Sequence, residues 1–405
     1  LLPAMQDLLY ALLLREYAPP TDTGPQATLF LARIDTLLAL GALNEAEALL
    51  HLAGGDQPQI FRREFDVSLL LRRENSACAT LRATPALSPT FPARIFCLAR
   101  GGDWNAAALS LEVGRALGYL SPQEDSLLER FLDPALSEGQ PRLTPPVRPS
   151  PLVFRMFEAI GEPLPTSNMP RAFAFSDLQG NSGWKAELEA AERLTRTGAL
   201  APEVLLDLYG KGRPAASGGL WDRVTAVQAL DAALATGAPA QISAALPAAW
   251  QQMSRAELEV PFALLFSKRL AAAGLPPADA PLLFEIALLS DGYRDVAPGY
   301  EIKSERDTML LAIAQGRAAT MRSDDPLLAA IRDGFRARGV PVRLQSLIDE
   351  KRLGAAILRA MELFASGARG DLDELSDALA FFRAVGLSDT AQRAALQLLL
   401  LERRG

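Results

Sequence analysis

Three times the chain runs an apolar-periodic segment into a glycine turn and returns with an Ala-rich segment a few residues later. It reads LLALGALNEAEALL from Leu37 to Leu50, CLARGGDWNAAALSL from Cys97 to Leu111 and FFRAVGLSDTAQRAALQLL from Phe381 to Leu399. The flanks repeat apolar residues at three- and four-residue spacing, the signature of a helix with one buried face. Two short helices of this kind cannot bury both stripes against each other, so neighbouring pairs must stack on them. That requirement leads to an array of helical hairpins.

Composition supports the same reading. The chain holds 71 Leu and 69 Ala against 12 Val and 11 Ile, a bias toward strong helix formers and away from the β-branched residues that line sheets. The fold class expected is all-α. The formal charge of −7 is spread over 41 basic and 48 acidic residues without the basic blocks that phosphate neutralisation requires, so nucleic acid is not an expected partner. Only five of the basic residues are Lys, an Arg and Ala excess associated with GC-rich bacterial genomes. No apolar run reaches the roughly 20 residues needed to span a bilayer.

Helices are expected over Leu8–Glu16, ahead of Pro19-Pro20, then Thr28–Leu40 and Asn44–Leu52, where Asn44 and Glu47 have capping-box spacing. A second pair runs from Arg62 to Leu81 with a bend at Glu74-Asn75. A third spans Ala93 to Leu117, and Ser121-Pro122-Gln123-Glu124 caps the helix after it. Prolines 141, 145, 146, 149 and 151 then read as an extended linker from Ser137 to Pro151. The stretch Gly161 to Gly183 is irregular, with Phe173 and Phe175 alternating as in an extended segment. Helices resume over Trp184–Thr195, Pro202–Tyr209, Trp221–Ala235, Ile242–Met253 and Ala256–Ala273. They continue over Ala280–Leu289, Ser304–Gln315, Pro326–Arg338, Val342–Phe364, Leu372–Val385 and Ser388–Glu402, with cap spacings at Ser304/Asp307 and Asp371/Glu374. The organisation expected is an N-terminal array (residues 1–136), a Pro-rich and irregular segment (137–183) and a C-terminal array (184–405).

The hairpins resemble the tetratricopeptide family, which places a small residue at the turn, a large apolar residue two positions on and Ala at the helix crossing. Gly41, Leu43 and Ala46 fit, as do Gly102, Trp104 and Ala107; the third unit offers Gly386 and Ala391 but Ser388 between them. The family's early Trp and closing Pro are largely missing, and the match covers about 100 residues. Gly followed by Ala at the fifth position occurs six times among 29 Gly, where chance predicts about five, so the information lies in the flanking periodicity. The resemblance implies a solenoid-like scaffold; the alternative is a non-repetitive helical bundle. The α-superhelical part of soluble lytic transglycosylases is a related architecture, though their catalytic domain has no counterpart in this sequence.

Residues that carry chemistry are sparse. His51 is the single histidine, which excludes multi-histidine metal and relay sites, and its place at a helix end suits a surface or capping role. Ser182-Gly183-Trp184-Lys185 matches Ser-x-x-Lys without the companion Ser-Asp-Asn and Lys-Thr-Gly elements, so Asn181 or Ser182 reads better as an N-cap. Carboxylate pairs Asp324-Asp325 and Glu187-Glu189 read as helix caps or polar faces. The Gly-rich loop from Tyr209 to Gly219 lacks Walker spacing, but Tyr209, Lys211, Arg213 and Trp221 make it the candidate partner-binding patch. Cys78 and Cys97 are the candidate disulfide if the protein is exported, and buried small apolar residues otherwise.

The expectation is a non-enzymatic interaction scaffold with no cofactor and no metal, holding a protein or peptide partner on a concave helical surface. The compartment expected is a bacterial periplasm, with the cytoplasm as alternative. A second reading, from another class, is a cell-wall glycan-binding or glycan-processing protein using groove carboxylates roughly 5 to 9.5 Å apart.

Overall fold

A computed structural model describes residues 1–16, 27–54, 57–214 and 216–401. Across them run 22 α-helices, several short 3-10 turns and no strand, so the all-α array expected from composition is what the chain adopts. Sequential helices pack in neighbouring pairs, as short connections between antiparallel helices require. The expected breaks at Pro19-Pro20 and at Glu402 lie outside the described residues.

The chain divides into two compact units: Glu16–Leu200, and a second built from Leu1–Arg15 together with Ala201–Gly405. In the first, three hairpins follow one another. They pair Thr28–Leu40 with Leu43–Ala53, Pro58–Leu70 with Asn75–Ala83, and Phe91–Arg100 with Trp104–Ala116. Gly41 and Gly102 sit at φ +87° and +84°, left-handed geometry that favours glycine, and each lets the chain reverse after its helix. Ala46 and Ala107 are fully buried where the returning helices begin. The spacing that is no better than chance in the sequence is therefore used physically at these positions.

The core of this unit gathers Phe61, Phe65, Ile95, Phe96, Leu128 and Met156 around Cys78 and Cys97. The two cysteines form a disulfide, with Cα atoms 4.9 Å apart, tying helix Asn75–Ala83 to helix Phe91–Arg100. Both are wholly buried.

Residues 137–183 belong to this same unit and pack against it. Arg130 donates to the Pro141 carbonyl at 3.0 Å, the Leu143 amide donates to Glu162 at 2.9 Å, and Leu143 and Leu164 rest on the core. Prolines keep the segment out of a helix, but its apolar residues give it a surface to bury. Phe173 and Phe175, expected in an extended segment, instead lie in the helical turn Arg171–Ala174 and the 3-10 turn Phe175–Gln179, both rings buried. Burying both faces of this stretch under the helices favours a helical turn, whose backbone satisfies itself locally. The Ser176 hydroxyl donates to the Leu70 carbonyl at 3.2 Å, fastening the irregular stretch to a helix end, and just past helix Trp184–Thr195 the Thr197 hydroxyl donates to the Leu40 carbonyl at 2.7 Å.

In the second unit, helix Pro3–Leu14 packs on helix Ser388–Leu400, and the Ala4 amide donates to Gln397 Oε1 at 2.8 Å. Hairpins pair Leu220–Thr236 with Pro239–Arg255 and Leu353–Ala368 with Leu372–Ala384, while Pro326–Arg336 crosses the last of these. Gly386 at φ +86° and fully buried Ala391 repeat the turn-and-crossing pattern. Two glycines mark close helix approaches. A Cβ on Gly367 would lie 2.6–2.8 Å from the Cβ, Cα and N of Leu375, and one on Gly334 would lie 2.8 Å from Leu379 Cβ and 2.9 Å from the Ser376 carbonyl.

The helix expected over Val342–Phe364 is two helices, Val342–Asp349 and Leu353–Ala368. Lys351 turns left-handed at φ +59°, and the Arg352 amide closes back on the Leu347 carbonyl at 2.8 Å. The capping box expected at Asn44/Glu47 is also absent: the helix starts one residue earlier, at Leu43, without a side-chain cap, and Glu47 pairs with Arg73. Ser121/Glu124 does form a full capping box, and Ser304 and Asp371 cap their helices.

Candidate functional site

A roomy concavity lies in the unit Glu16–Leu200, where two helix starts and the Pro-rich segment meet. Ser121-Pro122 opens helix Pro122–Leu132 and Ser150-Pro151 opens helix Pro151–Ala159, each with Ser as N-cap and Pro at the first position. The chain between them, anchored at Pro141 and Leu143, forms the third wall. The groove they enclose has a volume of about 580 Å³, within the range of small-ligand and peptide-side-chain sites.

Its floor and walls are apolar, from Leu127, Leu143, Pro146, Val153 and Phe157; its rim carries Gln123, Thr144 and Arg148. One carboxylate, Glu124, lines it. One oxygen of that carboxylate, Oε2, accepts from the Ser121 amide at 2.9 Å and hydroxyl at 2.7 Å, so it serves the helix start. Ser121 and Ser150 in turn accept from the backbone amides of Glu124 and Val153, at 3.3 and 3.2 Å. Ser121, Glu124 and Ser150 are thus engaged in capping the two helix starts.

Within the loop patch, Tyr209 is placed differently from its expectation. Tyr209 is 1% exposed, and its hydroxyl lies 4.0 Å from Met253 Sδ, inside the second unit. Gln228 donates to the carbonyls of Tyr209 and Gly212 at 2.6 and 2.7 Å, folding the loop back on helix Leu220–Thr236. Lys211 and Arg213 are exposed and Trp221 is half-buried, so three of the four patch residues reach the surface, while the tyrosine belongs to the core. Its apolar ring outweighs its loop-edge position.

The other chemical candidates separate as well. His51 lies exposed in the last turn of Leu43–Ala53. Ser182 does not cap the next helix: its hydroxyl donates to Asp177 Oδ1 at 2.7 Å, while Asn181 donates to Glu158. Lys185 pairs with Glu189 at 3.7 Å on the surface, so Ser182 and Lys185 are both engaged with carboxylates. Asp325 is an N-cap, accepting from the Leu328 amide at 3.0 Å. Glu187, read as part of a polar face, is 4% exposed. A smaller cavity of about 30 Å³ between Glu47, His51, Glu64 and Arg73 has room for about one water molecule. On the same helix as Glu64, burial pushes the Asp66 carboxyl up to about 6 against the opposing pull of Arg62 and Arg63. Among the described residues no group of three or more His, Cys, Asp or Glu is arranged to hold a metal ion, and no helix is long and apolar enough to cross a membrane.

The groove residues are the part of the site that sequence patterns do not reveal. Their local signal is the repeated Ser-Pro at 121–122 and 150–151, two helix starts bracketing a proline-rich return; nothing in the sequence states that the return folds back on both. The fold defines an all-α array of helix pairs. No protein-family model matches the chain, and no match is found among the curated proteins or the solved structures.

Proposed function

We propose that the protein is a non-enzymatic interaction scaffold of tetratricopeptide-like helical hairpins, and that the groove between Pro122–Leu132, Pro151–Ala159 and the Pro-rich segment holds a peptide stretch of a protein partner. The observation that carries this is the groove's lining: apolar walls wide enough for a few side chains, a polar rim, and a single carboxylate already engaged at a helix start. Peptide recognition needs pockets for side chains and a rim that sets register, whereas a glycan-processing site needs two carboxyls flanking the scissile bond. The same lining speaks against the glycan reading. The periplasm is proposed as the compartment, supported by the Cys78–Cys97 bond, since disulfides persist in oxidising surroundings.

The test is a photo-crosslinking amino acid placed at Thr144 or Val153 of the full chain, expressed in a Gram-negative host's periplasm and irradiated. A discrete polypeptide adduct, lost when Pro146 in the groove wall is replaced by Glu while far-UV circular dichroism is unchanged, is the expected outcome. Adducts that form equally in the Pro146→Glu chain, or glycan adducts in place of polypeptide, would overturn it.

A further inference from the structure

Three arginines of the unit Glu16–Leu200 gather at the turn that follows helix Thr28–Leu40. Arg193 and Arg196 stand three positions apart at the end of helix Trp184–Thr195, so their side chains are neighbours on its surface. Arg193 donates to the Thr166 carbonyl at 2.9 Å and to the Met169 carbonyl at 2.8 Å, which brings Arg171, two residues past Met169, alongside it. Arg171 in turn donates to the Ala39 carbonyl at 3.4 Å, and a Cβ on Gly41 would meet both the Arg171 Cβ and a methyl group of Leu194. Arg196 uses its Nε on the Glu192 carbonyl at 3.3 Å.

Carbonyls satisfy the N–H groups they reach, but they do not neutralise a guanidinium. Among the described residues no carboxylate comes within 4.0 Å of any of the three arginines. The carboxylates close to them are committed to other groups. Asp177 accepts from Ser182 at 2.7 Å and from Thr166, and Glu189, one turn before Arg193, pairs with Lys185 at 3.7 Å. The cations therefore act on one another: burial, then the Arg171 and Arg196 charges, pull the Arg193 pKa below its usual range against the counter-pull of Asp177. Arg171 is exposed and Arg196 half-buried, so the cluster opens to solvent.

On a chain of net charge −7, such a spot attracts an anion locally while the rest of the surface repels it. A nucleic acid needs a track of cations along its phosphates, and these three gather at one place. Neighbouring carboxylates match the forked donors of arginine, which bind them two N–H groups at a time. We infer that Arg171, Arg193 and Arg196 form a docking site for an acidic segment of a protein partner. Adjacent Asp or Glu side chains of that segment engage Arg171 and Arg196, while Arg193 holds the irregular stretch in place beneath them. None of the three lines the groove proposed above, so the two surfaces stand or fall separately.

The probe is fluorescein-labelled octaglutamate, with labelled octathymidylate as the comparison anion, titrated with the full chain and followed by fluorescence anisotropy. Expected is saturable octaglutamate binding that weakens as salt rises, with octathymidylate bound more weakly. Arg171→Gln/Arg196→Gln should weaken octaglutamate by about tenfold or more, as the loss of two charge-assisted contacts implies. Arg171→Gln alone changes an exposed position and should cost about threefold, which keeps the test independent of how well the double variant folds. A charge-matched control, Arg94→Gln/Arg142→Gln, removes two exposed arginines elsewhere in the same unit and should leave binding unchanged, as should the Pro146→Glu groove variant. Undiminished binding by the Arg171 variants, or an equal loss in the Arg94→Gln/Arg142→Gln chain, overturns the inference. So does octathymidylate that binds as tightly as octaglutamate and is lost with the same arginines, since the site then reads phosphates.

Discussion

Replacing Gly367 by Ala tests the helix approach that organises the second unit. In an open helix this change stabilises, because Gly costs about 1 kcal/mol relative to Ala. At Gly367 the added carbon would stand 2.7 Å from Leu375 Cα and 2.8 Å from its N, backbone atoms that cannot swing aside as a side-chain tip can. Helix Leu353–Ala368 must then move away from Leu372–Ala384, the kind of overpacking that costs about 1–3 kcal/mol. The steric cost outweighs the gain in helix propensity, and the net expectation is a loss of about 1–2 kcal/mol, or a fall of roughly 2–8 °C in the melting temperature of a unit of this size. The same helix supplies its own control: a methyl group added at Gly354 meets nothing within 4 Å, so Gly354→Ala should be neutral or gain a few tenths of a kcal/mol in the first turn. Differential scanning calorimetry of both variants reads the signs directly. A Gly367→Ala chain as stable as the wild type, or more so, would refute the close backbone crossing.

Reducing the Cys78–Cys97 bond opens a loop spanning a sequence separation of 19 and should destabilise the unit Glu16–Leu200 by about 3 kcal/mol, leaving the other unit's transition in place; calorimetry with and without a reductant checks this. The Asp66 carboxyl, held up at about 6 by burial, binds its proton more tightly folded than unfolded, so its contribution is fully present below about pH 4 and is lost as pH rises toward 6. Asp66→Asn should therefore raise stability at pH 7, by about 2 kcal/mol at most after partial solvent screening, and leave it nearly unchanged at pH 4, as urea unfolding at the two pH values would show. The Tyr293 phenol is pushed up to about 12, first by burial and then by its 2.7 Å hydrogen bond to Asp389. Absorbance titration should show one tyrosine ionising near pH 12, and Asp389→Asn should lower that midpoint.

Local patterns were legible and returns were not. Helices Thr28–Leu40 and Trp184–Thr195 have the bounds that periodicity and flanking residues predict, and the caps at Ser121, Ser304 and Asp371 form because each needs only a residue three positions away. The disulfide partners could be proposed because only two cysteines exist. By contrast, Tyr209 joins the core through contact with Met253, 44 residues on, and no pattern around the loop announces that. Phe173 and Phe175 turn helical because of the helices they cover, and Lys351 breaks a helix by a left-handed turn without Gly or Pro to mark it. The groove depends on the Pro-rich segment folding back to Glu162, a contact set by tertiary burial rather than by spacing.

The packing of helix Pro3–Leu14 on Ser388–Leu400 has a consequence for how the chain is made. Its amide-to-glutamine bond joins residues 393 positions apart, so the first helix leaves the ribosome with its partner still unsynthesised. The whole of Glu16–Leu200 emerges in the interval and, having its own core, can close as a body of its own. During that time the apolar face of helix Pro3–Leu14, with Met5 and Leu8, lacks the helix Ser388–Leu400 that packs on it. Vectorial synthesis thus orders assembly: the body Glu16–Leu200 can close first, and the packing of Pro3–Leu14 on Ser388–Leu400 forms only after residue 400 has emerged.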